Sequence, residues 1–274
     1  MKSAHEHARV SRPIIALLTD FGLEDPYVGQ MKGVLAGLAP EAVLVDISHQ
    51  VRPFDILQGA FYLAASWPYL PEGTICVGVV DPGVGTARRL AMIRRSGRLL
   101  LAPDNGLPAL LLGDEADVEA WEFAGRKARA GQKVANTFHG RDILMPLAAD
   151  LALGVRPKEL GAALHPDDLV RPDWARAERA GREIRAHVLH VDRFGNCLLN
   201  LSLEKWPMEV LAHAELIRPL LQPLALVRTY ADIGPGSFGM LAGSQGYWEL
   251  AVNQGNAAQL LGLRPGIRIV LQTS

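Results

Sequence analysis

The sequence predicts an α/β protein in two parts: an N-terminal, mostly parallel α/β sandwich domain and a smaller C-terminal antiparallel, barrel-like β domain. In the first half, short apolar runs alternate with helix-like segments, as in a parallel sheet covered by helices. In the second half, turn residues separate short strand-like pieces. Between them, residues 156–182 are charged, contain three prolines and keep no period. We therefore place the two domains at residues 13–170 and 183–274.

Apolar runs and capping residues predict the elements of the first domain. The predicted strands cover residues 13–20, 42–46, 73–81, 90–93 and 98–101. Asp25 and Pro26 open the first predicted helix as its N-cap and first helical residue, and apolar residues follow at helical spacing as far as Leu38. Asp55 caps a second predicted helix, and a third covers residues 143–153.

The second domain is predicted to consist of short strands joined by turns. The strands cover residues 183–192, 197–201, 224–227, 237–241, 247–252 and 267–271. Glycine, proline and asparagine lie between them, at positions such as 194–196 and 234–236.

Composition excludes several classes of protein. The 274 residues carry 28 Lys and Arg against 29 Asp and Glu, and this balance argues against a nucleic-acid partner. No apolar run approaches the ~20 residues of a membrane span, and residues 1–13 lack the apolar region of a secretory signal. Cys76 and Cys197 lie far apart and outside any zinc-binding spacing. We expect a cytoplasmic protein.

Three predicted strands end in a carboxylate, at Asp20, Asp46 and Asp81. Ligands of open α/β sheets bind outside the carboxyl ends of the strands, so three such residues favour a site, although any one of them could only cap a turn. Asp20 suits a vicinal diol such as a ribose, because an ionised carboxylate accepts two hydrogen bonds. Asp46, in the segment Asp46-Ile-Ser-His49, is better explained as a brace for the next turn.

The segment from Asp81 to Arg88 contains the closest grouping of candidate site residues in the sequence. Its glycines permit a tight turn beside a ligand, but a third glycine is missing and a strand follows, so it is no dinucleotide-binding fingerprint. Arg88 could fold back and pair with Asp81, in a catalytic group or in a plain structural salt bridge.

His139 lies in a polar loop before the third predicted helix. The dipole at a helix N-terminus disfavours imidazolium and would keep the ring neutral and able to accept a proton. A purely structural histidine remains the alternative.

In the second domain, residues 192–196 look like a hairpin tip. Phe194 could stack on a base and Asn196 could pair with an adenine edge, although an ordinary turn is the commoner explanation of such a segment.

Together these motifs resemble the S-adenosyl-L-methionine hydrolases, or SAM hydroxide adenosyltransferases, which are relatives of the fluorinase and chlorinase enzymes. The matching segments, in order, are 18–22 (LTDFG), 46–49 (DISH), 53–55 (PFD), 80–85 (VDPGVG), 102–106 (APDNG), 137–142 (TFHGRD), 192–196 (DRFGN), 247–251 (YWELA) and 256–257 (NA).

The resemblance implies hydrolysis of S-adenosylmethionine to adenosine and methionine, without cofactor or metal, in a homotrimer whose active sites lie between subunits. Asp81, Arg88 and His139 match the Asp-Arg-His set of the family, which is thought to position water or hydroxide. The implied substrate contacts are Asp20 to the ribose diol, Phe54 where the fluorinase has a Trp over the ribose, Asp192 to methionine, Phe194 stacked on adenine, Asn196 and Ala257 to adenine, and Ser244 near the methionine carboxylate. Gln245 stands where the fluorinase has an Arg.

Other activities remain as alternatives. In a halogenase, Asp81 would be a Tyr, Gly140 would be the fluorinase's halide-binding Ser, and an extra carboxylate would repel a halide. A metal-dependent hydrolase could use Asp20, Asp46, Asp81 and His139. A third alternative is a module that binds adenosine or S-adenosylmethionine without turnover.

Overall fold

The computed structural model describes residues 12–113, 117–123 and 134–273, so the start of the chain, where we predict no secretory signal, lies outside the described residues. The chain forms two compact units. The first unit comprises Met1–Phe54, Leu70–Asp104 and Asp114–Asp168, and the second comprises Asp55–Tyr69, Asn105–Gly113 and Leu169–Ser274. Two segments of the N-terminal half thus group with the C-terminal unit. Among the described helices, none combines the length and the apolar character needed to cross a membrane.

The described part of the first unit contains a seven-stranded mixed sheet in the order β2-β1-β3-β5-β4-β6-β7. Its strands are β1 (Ile14–Thr19), β2 (Val43–Ser48), β3 (Ile75–Val79), β4 (Leu90–Arg95), β5 (Arg98–Pro103), β6 (Val118–Glu122) and β7 (Ala162–Leu164). The pairs from β2 to β5 are parallel, and the pairs from β5 to β7 are antiparallel. The direction reverses at Ser96 and Gly97, whose positive φ values of 46° and 71° build a two-residue hairpin turn.

Helices of the first unit pack on this sheet through apolar side chains. They are α1 (Tyr27–Leu38), α3 (Met145–Ala152) and α4 (Pro157–Leu160). Met31 and Leu35 of α1 and Leu147 of α3 join the strand residues of the core. The predicted Asp25 cap is wrong: Pro26 occupies the N-cap position of α1, and no side chain caps that end within the described residues. A π-helical turn, Gly140–Leu144, leads into α3.

The second unit contains a closed seven-stranded β-barrel, which confirms the predicted barrel-like domain. Its strands are β9 (Glu183–Val191), β10 (Cys197–Ser202), β11 (Glu215–Arg218), β12 (Gln222–Leu226), β13 (Phe238–Ala242), β14 (Tyr247–Val252) and β15 (Arg268–Gln272). A short additional strand, β8 (Glu178–Ala180), pairs antiparallel with β9. The barrel closes because β9 pairs with both β10 and β15. All its pairs are antiparallel except β12 with β13.

Two short helices belong to the second unit, α2 (Ile56–Ser66) and α5 (Ala257–Leu261). Asp55 caps α2 as predicted, because its Oδ1 accepts a hydrogen bond of 2.9 Å from the backbone N–H of Gln58. Phe61 and Ala65 of α2 pack on Leu189 and Leu198 of the barrel.

The Asp55 cap leads to a stability prediction. Asp55→Ala should lower the free energy of unfolding by about 1 kcal/mol, whereas Asp55→Asn keeps an acceptor and should lose much less. Urea unfolding followed by circular dichroism measures both variants. Equal losses in the two would show that the side-chain cap does not stabilise α2.

Candidate active site

A cavity of about 290 Å³ lies in the first unit, beside the carboxyl ends of its parallel strands. Asp20, Phe54, Asp81 and His139 line it, so the structure brings four of the predicted site residues together. Aromatic rings form part of the wall, and sequence reasoning assigned them no role; they are Phe21, Tyr27 and Phe138, in mutual contact at centroid distances of 5.3 to 5.7 Å. The signal for two of them was their place inside the motifs at 18–22 and 137–142.

Asp81 and Arg88 form a bidentate ion pair at the cavity, as the sequence predicted. The Arg88 Nε donates to both carboxylate oxygens, at 2.7 and 2.8 Å, and Nη2 donates to Oδ2. Their side chains are only 6% and 10% exposed. Such charge-assisted pairs fix orientation as well as charge, so Asp81 has one defined direction into the cavity.

Gly85 allows the loop that carries this pair to approach the loop that carries His139. Its φ is +80°, and a Cβ added there would lie 2.7 Å from the carbonyl oxygen of Asn136. Any other residue would collide with that backbone atom and strain the turn, so the close approach requires glycine.

His139 contacts the same guanidinium. Arg88 Nη2 lies 3.1 Å from His139 Nδ1. Because a guanidinium can only donate, Nδ1 is the acceptor, and in the neutral ring the proton is therefore assigned to Nε2. Burial lowers the pKa of His139, and the positive charge of Arg88 lowers it further, against the opposing charges of Asp81 and Asp142. The lowered pKa agrees with the neutral ring expected from the sequence, but burial and Arg88 are its main causes.

Asp20 and Phe54 meet at the rim of the cavity. The backbone N–H of Phe54 donates to Asp20 Oδ2 at 2.8 Å. Burial raises the pKa of Asp20, and the charge of Asp81 adds to this, whereas the hydrogen bond from Phe54 opposes it. Phe54 itself has a φ of +67° and a side chain that is 70% exposed in the single chain. A non-glycine residue held in this region of φ is unusual and often marks a functional site.

Asp46 takes no part in the cavity wall. It lies within β2, where Oδ2 accepts a hydrogen bond of 2.7 Å from Lys32 and Oδ1 lies 3.1 Å from His49 Nε2. Burial alone would raise the pKa of Asp46, but its contacts with Lys32 and His49 hold the pKa below the usual value. Asp46 therefore braces neighbouring elements, as the sequence indicated.

In the second unit, Asp192 organises the hairpin between β9 and β10. Its Oδ1 accepts from the backbone N–H groups of Phe194 and Asn196, both at 2.9 Å, and its Oδ2 accepts from Asn196 Nδ2 at 3.0 Å. Phe194 is 76% exposed, whereas Asn196 is buried. A Cβ on Gly195 would lie 2.2 Å from Asn256 Cγ, so this tip packs directly on the cap of α5.

The remaining predicted contacts also lie in the second unit. Ser244 and Gln245 occupy the turn between β13 and β14, where the Tyr69 hydroxyl donates to the Ser244 carbonyl at 3.3 Å. Ala257 is fully buried at the start of α5.

The sequence did not predict one hydrogen bond to a buried carboxyl group. Glu249, inside the motif at 247–251, is buried and accepts a hydrogen bond from the Tyr230 hydroxyl. Burial raises the pKa of Glu249, and the nearby charge of Asp192 adds to the shift.

The described residues contain no group of three His, Cys, Asp or Glu side chains arranged to hold a metal ion.

Comparisons with known proteins identify the family. Residues 15–161 match the model of the SAM hydroxide adenosyltransferase N-terminal domain, and residues 186–270 match that of the C-terminal domain. A relative named (R)-S-adenosyl-L-methionine hydrolase, from Salinispora tropica, is 41% identical over 94% of this chain and 97% of its own length. Another with that name, from Thermus thermophilus, is 38% identical over 95% and 99%.

More distant relatives also match the chain over most of its length. A fluorinase from an Actinoplanes species is 27% identical over 94% of this chain and 97% of its own. The crystal structure of an uncharacterized conserved protein from Thermotoga maritima superposes with a TM-score of 0.80 at 29% identity, covering 94% of this chain and all of the other. Both halves of the chain are therefore accounted for, and the protein belongs to the SAM hydroxide adenosyltransferase family.

Proposed function

We propose that the protein hydrolyses S-adenosyl-L-methionine to adenosine and L-methionine by attack of water at C5′ of the ribose. The observation that carries the proposal is the Asp81–Arg88–His139 set, which meets at a cavity also lined by Asp20. The names of the relatives point to the same reaction.

The chemistry explains why such a set is sufficient. The substrate is a sulfonium, so sulfur leaves as a neutral thioether and needs no acid. The oxygen of water bonds to C5′, the C5′–S bond breaks, and its electron pair goes to sulfur. Water is a poor nucleophile, so the enzyme must align it with the C5′–S bond and take up its proton.

The hydrogen bonds assign a role to each member of the set. Arg88 donates a hydrogen bond to His139 Nδ1, so the proton of the neutral ring lies on Nε2, which can donate a hydrogen bond to the oxygen of the water. Asp81 is then the acceptor for the proton that the water loses, because an ionised carboxylate has sites beyond those that Arg88 fills. Arg88 holds both groups in place.

The substrate contacts of the proposal come from both units. Asp20 accepts from the ribose diol and Phe54 packs on the ribose. A neighbouring subunit of a homotrimer supplies the adenine and methionine contacts, Asp192, Phe194, Asn196, Ser244 and Ala257. Two exposed aromatic side chains support an inter-subunit site, because Phe54 and Phe194 are 70% and 76% exposed in the single chain and each offers a face for stacking.

The structure weighs against the alternatives in specific ways. A halogenase must hold a halide, which the carboxylate of Asp81 in the cavity wall would repel. A metal site built from Asp20, Asp46, Asp81 and His139 would need Asp46, which instead binds Lys32 and His49. The proposed reaction uses neither metal nor cofactor. Turnover itself separates an enzyme from a module that only binds the nucleoside.

The first test is turnover by the set. Protein treated with a chelator should convert S-adenosylmethionine to equal amounts of adenosine and methionine, measured by chromatography. Asp81→Asn and His139→Ala should each lower kcat by about 10²- to 10⁴-fold, with smaller effects on adenosine affinity, because they act on the nucleophile. The surface variants Glu119→Gln and His165→Ala are matched controls. Activity lost with the chelator and restored by a metal would contradict the proposal.

The second test is pH. Because the pKa of His139 is lowered, less than half of the rings are protonated at pH 6.5, the usual midpoint of a histidine, and most of the protonation occurs below that pH. A protonated ring would lose its acceptor for Arg88, so kcat/KM should fall on an acid limb below pH 6.5. An NMR titration of the ring, assigned by the signal missing in His139→Asn, measures the same midpoint. A midpoint at or above 6.5 would sink this assignment.

The third test is complementation between subunits. Asp81→Ala and Asn196→Ala should each be nearly inactive alone. In a closed ring each interface pairs different surfaces of two chains, so co-refolding equal amounts should leave about a quarter of the sites with both halves intact. About a quarter of wild-type activity should return. No recovery despite exchange of labelled subunits would show that each site lies within one chain.

A further inference from the structure

The segment Asp46-Ile-Ser-His49 is a sequence motif of the first unit that the proposed chemistry does not use. Its histidine is buried, with a side chain only 2% exposed, and makes polar contacts at both ring nitrogens. His49 Nδ1 lies 2.9 Å from the hydroxyl of Thr19, and Nε2 lies 3.1 Å from Asp46. Lys32 holds the other oxygen of Asp46 at 2.7 Å.

The groups beside the two ring nitrogens determine which atom donates and which accepts. A carboxylate only accepts, so Asp46 beside Nε2 favours the ring proton on Nε2, and His49 Nδ1 then accepts from the Thr19 hydroxyl, whose oxygen accepts from the backbone N–H of Phe21 at 3.3 Å. The ring proton then lies on Nε2, 3.1 Å from Asp46 Oδ1, in an electrostatic contact that is not aligned as a hydrogen bond, and Asp46 also accepts from Lys32. Two hydrogen bonds and one electrostatic contact thus connect α1, β2 and the end of β1.

The order Asp–His–Thr is that of a hydrolytic triad, but burial excludes this use. Thr19 has no exposed surface, so its hydroxyl cannot reach a substrate. These polar contacts therefore stabilise the fold and do not take part in catalysis.

The structure next to Thr19 is the turn that carries Asp20. Besides the bond from Phe21 to Thr19, the N–H of Gly22 donates to the carbonyl oxygen of His49 at 2.8 Å. His49 thus holds the turn on both sides of Asp20, through its ring and through its backbone. The Asp20 carboxylate has its own contact with the N–H of Phe54, but its Cα is placed by this turn.

We propose that His49 is a positioning residue, which acts through Thr19 to fix the turn from Thr19 to Gly22 and so aims the Asp20 carboxylate at the ribose diol. Asp46 and Lys32 hold the His49 ring in the orientation that this requires. The proposal rests on the proposed function, because it takes Asp20 to be the ligand of the diol. A vicinal diol donates two hydrogen bonds to one carboxylate, and a small rotation of that carboxylate breaks one of them.

The test compares two nucleosides that differ in one hydroxyl. Calorimetry measures the dissociation constants of adenosine and 2′-deoxyadenosine for wild type, Asp20→Ala, Thr19→Val and Thr19→Ser. Wild type should prefer adenosine, and Asp20→Ala should lose that preference. Thr19→Val has nearly the same shape as threonine without its hydroxyl, and it should bind adenosine about tenfold more weakly, the effect of one lost hydrogen bond. Its affinity for 2′-deoxyadenosine should stay unchanged.

Controls separate positioning from general stability. Thr19→Ser keeps the hydroxyl and should retain the preference. Ser48→Ala removes another hydroxyl–backbone bond, to Gln50, in the same segment and should also retain it. Should Thr19→Val fail to fold, His49 variants decide: asparagine keeps an acceptor near the position of Nδ1 and should retain the preference, whereas glutamine does not and should lose it.

Each outcome has one meaning. Thr19→Val that weakens both nucleosides equally, or keeps the full preference, overturns the positioning role of His49. Wild type without a preference, or Asp20→Ala that keeps it, shows that Asp20 is not the diol ligand and overturns this inference together with that part of the proposed function. The turnover assay of the Asp81 and His139 variants reads the hydrolytic part independently.

Discussion

The ion pair between Asp81 and Arg88 is the interaction on which the rest of the site depends. A carboxylate with 6% exposure would be strongly disfavoured without a partner, and the bidentate guanidinium supplies that partner in one fixed geometry. The same guanidinium occupies His139 Nδ1 and contributes to the lowered pKa of that ring. One cation thereby orients two groups, so that under the proposed function a hydrogen-bond acceptor and a donor face the same water. A lysine could not replace it, because a point charge lacks the planar fork that spans both partners.

Backbone geometry brings these side chains together. Gly85 lets the first loop approach the carbonyl oxygen of Asn136, and a π-helical turn begins just after His139. Such turns are rare and occur frequently at functional sites. Asp142 in that turn accepts from the N–H of Ala135 at 2.8 Å and from the neighbouring Arg141, so the loop before His139 is closed on itself. The lowered pKa of Asp142, caused first by its bond from Arg141, fits that closure. The position of His139 is thus set by local hydrogen bonds.

The sequence predicted those strands, caps and site contacts that depend on residues close together in the chain. Buried strands such as β3 are continuous apolar runs, and Asp55 and the Asp81–Arg88 pair involve residues at most seven positions apart. The prediction failed where tertiary contacts decide. Strand β8 is fully exposed and three residues long, so it has no hydrophobic pattern, and it exists because β9 offers an edge. Lys32, which donates to Asp46, lies on another element, and the hydrogen bond from Tyr230 to the buried Glu249 spans 19 positions. The Ser96-Gly97 dipeptide is a local sequence signal for a tight turn, and it marks where the first sheet changes from parallel to antiparallel pairing.

Charge also bears on which nucleophile such a cavity admits. Asp20 and Asp81 both line it, and burial raises the pKa of Asp20, with a smaller contribution from the charge of Asp81. One arginine balances one carboxylate, so an ionised Asp20 leaves the cavity with an excess negative charge. That excess favours a sulfonium substrate and disfavours any anion, whether halide or free hydroxide. Under the proposed function, the nucleophile therefore enters as neutral water and gives up its proton to Asp81 only as the C5′–O bond forms, when the departing sulfur is losing its positive charge.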